Sequence, residues 1–263
     1  MSNSLTSPDA PVRFECPHEN VALVTLNRPN ARNAITAEMA RLMEDNVRRI
    51  EEDASIRVVV IAASGSAFCA GADLKEVAAG RGNELALPGS GFAGFVFARR
   101  TKPWIAAVHG AAHGGGTEIA LACEMIVAGE AATFGLPEVR RGLLAGAGGC
   151  FRIARALPRA VAFEMVTTGV PISSTRAYEL GLVNRLSPTE KVLEDALQIA
   201  MLIAANSPLS IRESLALTKA AVDLEDERLI RLQQEAITRV LAGPDVIEGA
   251  TAFLEKRAPI WHS

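Results

Sequence analysis

Three consecutive glycines at positions 114–116 constrain this chain more than any other feature of its sequence. They follow a short apolar run, "PWIAAVHG", and lead directly into "TEIALACE", which is typical of an apolar helix. Glycine is the least favourable ordinary residue inside a helix, so three in a row need a reason in the backbone. Close packing or a tight turn would be such a reason. A chemical reason is that bare N–H groups at the start of a helix attract negative charge.

Short apolar runs alternate with amphipathic stretches over most of the chain. "RVVVIAAS" and "PWIAAVHG" are typical of strands buried on both faces, and Thr36 is typical of a helix N-cap. Residues 78–91 contain four glycines and a proline and predict a loop or a mobile lid. From about Thr175 onward the pattern is mainly helical. The sequence therefore predicts an α/β core over residues 1–200 and a helical region over residues 201–263.

Composition and charge disfavour several classes of protein. With 49% hydrophobic and 22% charged residues and a formal net charge of −3, the chain has the composition of a soluble globular protein without a basic nucleic-acid surface. No apolar run reaches the length of a membrane span, and the first residues do not resemble a signal peptide. We therefore expect a cytoplasmic protein with neither a membrane nor a nucleic-acid partner. The four cysteines lie far apart and predict reduced thiols rather than a metal site.

Three loops of small residues follow the apolar runs, at positions 69–73, 113–117 and 146–149. In α/β proteins, ligands bind where strands end and helices begin. None of these loops has the spacing of a dinucleotide-binding or phosphate-binding loop, which disfavours redox-cofactor and ATP-driven chemistry. Two acids, Glu118 and Glu138, stand beside the loops. A carboxylate in the first turn of a helix is common for electrostatic reasons, so neither acid alone predicts catalysis.

Six segments, in this order along the chain, resemble the enoyl-CoA hydratase/isomerase (crotonase) family. They are "VTLNRPNARNAIT", "SAFCAGADLKE", "KPWIAAVHGAAHGGGTEIALACEMIVA", "ATFGLPEVRRGLLAGAGG", "TGVPISSTRAYELGLVNRL" and "GATAFLEKRAPIW". The resemblance covers roughly residues 12–260. It implies the crotonase fold, an α/β spiral of strand–strand–helix units. It also implies a C-terminal helical region that forms homotrimers or homohexamers and completes the coenzyme A site.

The resemblance implies a set of site residues as well. The backbone N–H groups of Ala70 and Gly115 would bind the thioester carbonyl as an oxyanion hole, and Glu118 and Glu138 would be the two catalytic acids. The residues implied in binding the substrate and its coenzyme A are Ala70, Gly71, Ala72, Asp73, Leu74, Gly114, Gly115, Phe253 and Lys256. No metal is implied, and no cofactor other than the coenzyme A that arrives with the acyl-CoA substrate.

Two facing carboxyl groups suit the hydration of a 2-enoyl thioester, because one must activate water at C3 and the other must protonate C2. We expect Glu118, near a helix N-terminus, to ionise more readily and to activate the water. Glu138 stands among Phe134, Leu136 and Pro137 and should stay protonated longer. The predicted function is therefore that of an enoyl-CoA hydratase, a hydro-lyase.

Three residues depart from the commonest hydratase pattern: His113, where an apolar residue is usual, and Arg140 and Arg141 after the second acid. We interpret the two arginines as solvent-facing side chains paired with carboxylates. The "LPE" context is also similar to the carnitinyl-CoA dehydratase (crotonobetainyl-CoA hydratase) branch, which is an alternative function. An enoyl-CoA isomerase is a further alternative, although isomerases typically need one acid. A catalytically silent acyl-CoA-binding or RNA-binding relative is disfavoured by the acid pair and the negative net charge.

Overall fold

A long mixed β-sheet forms the centre of the protein in the computed structural model, which describes residues 3–4 and 7–262. Along the chain the strands are β1 (Asn3–Ser4), β2 (Val12–His18), β3 (Val21–Leu26), β4 (Val58–Ala63), β5 (Ala67–Cys69), β6 (Ala86–Leu87), β7 (Gly91–Phe92), β8 (Trp104–Val108), β9 (Ala111–His113), β10 (Met125–Gly129), β11 (Thr133–Gly135), β12 (Ile172–Ser173) and β13 (Arg185–Ser187). The central sheet has the order β1-β2-β3-β4-β8-β10-β13. Its first three strands are antiparallel, and every pairing from β3 onward is parallel.

Helices cover both faces of this sheet. Along the chain they are α1 (Ala37–Glu52), α2 (Leu74–Ala78), α3 (Gly115–Leu121), α4 (Gly149–Ala156), α5 (Arg159–Thr168), α6 (Ser174–Glu179), α7 (Val192–Ala204), α8 (Pro208–Ala220), α9 (Asp226–Ala242) and α10 (Asp245–Glu255). Alternate residues of β4 and β8 pack into two different clusters, one shared with α1 and one with α7. The two apolar runs are therefore strands buried on both faces, as predicted. Thr36 caps α1, accepting a hydrogen bond from Met39 N at 3.3 Å.

A second, smaller sheet brings the functional loops together. Its order is β12-β11-β9-β5, and β5, β9 and β11 are parallel neighbours. Cys69 pairs with Ala112, and His113 pairs with Gly135, so the three strands end at one edge. The loops that follow β5, β9 and β11 consequently meet there, as expected for parallel strands in an α/β protein.

Residues 78–91 are more regular than a loop. A 3₁₀ helix spans Gly82–Leu85, and β6 and β7 form a small hairpin in which Leu87 pairs with Gly91. Gly89 and Gly91 have φ of +83° and +71°, a backbone conformation that glycine adopts without a steric cost. The prediction of an irregular segment is therefore wrong for most of this stretch, because its glycines serve a hairpin.

The C-terminal helices follow α7. The predicted boundary after residue 200 falls inside α7, whose Ala200 and Ala204 pack on the central sheet. The core therefore extends to the end of α7, while the division into two regions stays a prediction. The two tryptophans lie in different regions: Trp104 is completely buried in β8, and the Trp261 indole donates to Ala205 O at 2.7 Å. No helix in the described ranges has the length and apolar character needed to cross a membrane.

Candidate active site

Asn33 organises the loop that precedes β5. Its side chain is completely buried, donating to Ser64 O at 2.8 Å and Ala67 O at 2.9 Å and accepting from Arg28 N at 2.8 Å. Its φ of +55° belongs to the left-handed region that asparagine tolerates better than most residues. A buried amide with every partner satisfied holds a turn rigidly. Asn33 thus ties the "NRPNARN" turn to the strand that leads to the site. The sequence prediction did not single out this residue, although its motif was identified.

The loop after β5 contains a correction to the predicted oxyanion hole. The amide of Ala70 donates to Arg32 O at 3.0 Å, so this N–H is already used within the chain. The prediction that Ala70 supplies an oxyanion donor is therefore wrong. On either side of Ala72, Ile35 N donates to Gly71 O, and Asp73 N donates to Ile35 O. Between these bonds the amide of Ala72 has no hydrogen bond within the described part of the chain.

Gly115 supplies the second free amide. It is the first residue of α3, and the N–H groups of a first helical turn have no partner inside the helix. A Cβ placed on Gly71 would lie only 3.0 Å from Gly115 N, so the backbones of the two loops are in contact. The free amides of Ala72 and Gly115 therefore belong to adjoining loops. Two such donors can bind one negatively charged oxygen.

A different close contact explains why each of the three consecutive positions is a glycine. Gly114 has a φ of +57°, and a Cβ there would lie 3.2 Å from Glu138 Oε1. At Gly115 a Cβ would overlap the ring of Phe92, and at Gly116 it would overlap the carbonyl of Cys69. Close approach of backbone, aromatic ring and carboxyl group explains the glycines. Phe92, which β7 places against Gly115, was missed from the sequence because the hairpin was not predicted.

Glu118 lies in α3 and is only 3% exposed. Its Oε1 accepts from Ala147 N at 2.7 Å and from Gly149 N at 2.9 Å. Burial nevertheless raises the pKa of this carboxyl to about 7, against the opposing effect of these hydrogen bonds. The negative charge of Glu138 raises that pKa further.

Glu138 lies in a 3₁₀ helix, Pro137–Arg141, directly after β11. Burial raises the pKa of its carboxyl too, while the positive charge of Arg141 opposes the rise. Within the described residues its buried Oε2 has no hydrogen-bond partner. A buried carboxyl oxygen without a partner is costly for folding and is commonly found where a group reacts.

The order of ionisation differs from the expectation. We expected the start of α3 to make Glu118 the easier acid to ionise. Burial raises the pKa of both carboxyls, and the larger rise is that of Glu118. The expectation is therefore wrong, because desolvation of a nearly inaccessible side chain outweighs the field of a helix of seven residues.

The other predicted contacts of coenzyme A have different surroundings. Asp73 caps α2 by accepting from Lys75 N at 3.0 Å and forms an ion pair with Arg28 at 3.2 Å. Leu74 is exposed beside it. Phe253 is 82% exposed on α10, and Lys256 directly follows that helix. Binding of coenzyme A by these residues stays a prediction.

The basic residues that depart from the family pattern surround a cavity. His113, Arg140 and Arg141 line about 390 Å³ of space beside Pro137. Neither arginine forms an ion pair within the described ranges, and Arg140 Nε donates to Thr168 O at 2.8 Å. Both arginines are exposed to solvent, as predicted, but the interpretation that they pair with carboxylates is wrong.

The cysteines are free thiols, as predicted. Burial raises the pKa of Cys69 and Cys123 to about 12, so both stay protonated at neutral pH. In the part of the chain that the structure describes, no group of three His, Cys, Asp or Glu side chains could hold a metal ion.

Comparison with known proteins identifies the family. The model of the enoyl-CoA hydratase/isomerase family matches residues 17–263. The chain belongs to that family. The crystal structure of enoyl-CoA hydratase from Mycobacterium tuberculosis H37Rv superposes with a TM-score of 0.92 at 38% identity, covering 96% of this chain and 99% of the other. These findings confirm the predicted crotonase fold.

Relatives within the family carry different names. Carnitinyl-CoA hydratase from Mycobacterium avium is 43% identical in sequence, with a TM-score of 0.78 and coverage of 97% of this chain and 99% of the other. The 2,3-dehydroadipyl-CoA hydratase of Escherichia coli is 37% identical over 92% of this chain and 94% of that protein. The prediction of a hydro-lyase of the enoyl-CoA hydratase type is confirmed by these relatives.

Proposed function

We propose that this protein adds water reversibly across the 2,3 double bond of a 2-enoyl-CoA thioester. The observation that carries the proposal is the meeting of two carboxyls of raised pKa, Glu118 and Glu138, with two free backbone amides, those of Ala72 and Gly115. Carboxyl groups whose pKa is raised towards neutral pH are suited to giving and accepting protons. Amides that point at one place stabilise an oxygen that becomes negative.

The reaction follows from these roles. The Glu118 carboxylate, oriented by Ala147 N and Gly149 N, takes a proton from water as the water oxygen bonds to C3. The electron pair of the double bond moves to the thioester oxygen, where the amides of Ala72 and Gly115 bind the enolate. As the enolate collapses, Glu138 delivers its proton to C2. A proton then returns from Glu118 to Glu138, so the pair is restored and the net change is the addition of one water.

The larger rise in pKa is that of Glu118, yet the hydration step uses the state of the pair in which Glu118 is ionised and Glu138 is protonated. The two amides that donate to Glu118 Oε1 stabilise that state. A base whose pKa lies near 7 is half ionised at neutral pH yet still strong enough to take a proton from water. Burial raises the pKa of the Glu138 carboxyl as well, which favours its protonated form. No step requires a metal or a redox cofactor.

Coenzyme A and the assembly complete the proposal. The loop from Ala70 to Leu74 borders the thioester, and Phe253 and Lys256 contact the nucleotide end, in this or in a neighbouring subunit. Large exposed apolar residues gather on the last two helices, Ile247 and Leu254 among them. Exposed apolar patches of this kind mark association surfaces, which supports a homotrimer or homohexamer. Light scattering of the purified protein tests that state, and a monomer would refute it.

A hydration assay tests the proposal directly. Loss of the conjugated-thioester absorbance of crotonyl-CoA should be fast with the wild-type protein. Glu118→Gln and Glu138→Gln should each lower kcat by about 10²–10⁴-fold, the usual contribution of a general acid or base. Glu164→Gln, which changes an exposed glutamate of α5, is the matched control and should keep the wild-type rate. If both active-site variants retained near wild-type rates, the mechanism would be refuted.

A second candidate is the carnitinyl-CoA reaction, favoured by the 43% identity to the Mycobacterium avium protein. Its acyl chain ends in a quaternary ammonium group. The unpaired arginines Arg140 and Arg141 beside Glu138 oppose such a cation. The same assay with crotonobetainyl-CoA distinguishes the two, because rates above those for crotonyl-CoA would favour the second candidate.

A further inference from the structure

The cavity beside Glu138 has a polar lining that the proposed reaction does not use. His113, Arg140 and Arg141 supply that lining, and glycine and proline residues form the remaining walls. Its volume of about 390 Å³ lies at the lower end of the range of small-molecule pockets, about 300–1,000 Å³. The cavity is therefore large enough for a short group of a ligand.

The charge of this lining is positive. No Asp or Glu lines the cavity, and neither arginine pairs with a carboxylate in the described portion of the chain. His113 is half-buried, with Nε2 3.0 Å from Thr133 Oγ1, and burial lowers its pKa, which favours the neutral imidazole. Two guanidinium groups in a concave site attract an anion, and arginine binds a carboxylate through two parallel hydrogen bonds.

The cavity adjoins the reacting groups. Pro137, one of its walls, immediately precedes Glu138, and His113 immediately precedes Gly114, whose missing side chain would meet Glu138 Oε1 at 3.2 Å. The charge of Arg141 acts on the Glu138 carboxyl. The cavity thus begins within one residue of the groups that surround C2 and C3 of the substrate.

A hydrogen bond within the protein orients the Arg140 guanidinium before any ligand binds. Its Nε donates to Thr168 O at 2.8 Å, which leaves the terminal nitrogens of the guanidinium for another partner. A Cβ on Gly169 would lie 3.1 Å from this Nε and 3.0 Å from the α-carbon of Pro137. The glycine therefore makes room for the arginine side chain, and a guanidinium that is already oriented loses less freedom on binding.

We propose that Arg140 and Arg141 bind a carboxylate at the far end of the acyl chain, so that the preferred substrate is a short 2-enoyl-CoA with a terminal carboxylate. The inference rests on the proposed hydratase function and names its substrate class. The same guanidinium groups could instead bind an acidic side chain of a second copy of this chain, which has the same chemistry. The experiment separates these two sources.

The test compares two thioesters of six acyl carbons, trans-2,3-dehydroadipyl-CoA and trans-2-hexenoyl-CoA, which end in a carboxylate and a methyl group. The wild-type protein should favour the first by about tenfold or more in kcat/KM, the ratio expected for one charge-assisted hydrogen bond. The double variant Arg140→Leu/Arg141→Leu should bring this ratio to about one. Each ratio compares two thioesters on the same protein variant. A general loss of activity lowers both kcat/KM values and leaves their ratio unchanged.

Two further variants keep the test decisive. Arg159→Leu removes an exposed arginine at the start of α5, outside the cavity, and should retain the wild-type ratio. Arg141→Lys preserves the charge and adds no bulk, so it should fold even if the double variant does not. It should keep part of the preference, because lysine lacks the paired geometry.

The possible results separate the two proposals. If the wild-type protein hydrates both thioesters equally well, the carboxylate preference is refuted and the hydratase function stands. If the folded protein hydrates neither, the hydratase function itself fails. If the double variant keeps the wild-type ratio but loses its assembly in light scattering, the arginines bind a second copy, and this inference is overturned.

Discussion

Glu118 and Glu138 are the same type of residue, and burial raises the pKa of both, yet their supports are different. Glu118 is almost inaccessible, and two backbone amides, one from the loop before α4 and one from the first residue of α4, hold one of its oxygens. Glu138 is carried by a 3₁₀ helix of five residues, with one oxygen that has no partner in the described chain. Backbone amides hold the first acid, whereas no hydrogen bond within the described residues holds Oε2 of the second.

From this difference we expect the Glu118 side of the site to set the catalytic geometry and the Glu138 side to set the substrate preference. The loop that holds Glu118 is itself held, because Arg152 donates to Ala147 O at 3.1 Å and to Val96 O at 2.5 Å. The segment that carries Glu138 continues into the arginines of the adjoining cavity. Changes in the loop should therefore alter the rate for every substrate, and changes after Glu138 should alter which substrate is preferred.

Gly149→Ala should produce the largest effect on the Glu118 side. A Cβ at this position would lie 2.9 Å from Glu118 Oε1, 2.9 Å from the Cβ of Ala145 and 3.0 Å from a methyl carbon of Leu136. The carboxyl must shift, and a misplacement of about 1 Å can cost about 10²-fold in kcat. Gly146→Ala, which has open space around it, is the control and should stay near the wild-type rate. Equal rates for the two variants would contradict the rigid support of Glu118.

Stability should depend on pH through Glu118. Its pKa rises from an ordinary 4.5 to about 7 in the folded protein, so the folded state keeps a proton that the unfolded state has lost. The contribution of Glu118 to the free energy of unfolding should be fully present below pH 4.5 and fall by about 3 kcal/mol as pH rises to 7. Glu118→Gln should abolish this fall in the free energy of unfolding with rising pH. Glu138→Gln should abolish a smaller fall in the same direction. Urea unfolding at pH 5 and pH 8 measures both, and parallel pH dependences for wild type and Glu118→Gln would disprove the linkage.

Arg152→Gln should have the smallest of the three effects. Without the guanidinium the loop loosens, and we expect kcat to fall about tenfold with little change in KM. The positive charge of Arg152 lowers the pKa of Glu118, so its removal should move the acidic limb of the pH–rate profile to higher pH. Arg155→Gln alters the next turn of α4, where the arginine pairs with Asp223 at the surface, and should change neither. A similar profile in both variants would argue against a positioning role for Arg152.

Much of the site was predictable because it depends on residue type and local spacing. Glu118, Glu138 and the glycines before α3 were identified from motifs, and the buried strands were identified from their apolar runs. The direction of a backbone N–H is different. Ala70 was excluded as a donor by the carbonyl of Arg32, which lies far away in sequence. Only the pairing of distant segments decides whether an amide is free.

Solvation and charge pairing were equally inaccessible from the sequence. The ionisation order of the two acids depends on how deeply α3 is covered, and the pairing of Arg140 and Arg141 depends on what folds next to them. A motif gives the identity of a side chain but not its burial. The hairpin that brings Phe92 to Gly115 was missed for a related reason, because glycines that serve a tight turn look like those of an irregular loop.

The placement of the two tryptophans gives the protein two fluorescent reporters. Trp104, enclosed in β8 and stacked edge-on against Phe95, should emit at short wavelength as long as the central sheet is intact. Trp261, whose indole binds the carbonyl that follows α7, reports whether the end of the chain stays attached to the core. Phenylalanine variants of each tryptophan would separate the two signals. Melting of the core and release of the C-terminal segment could then be followed in a single cuvette, without any added label.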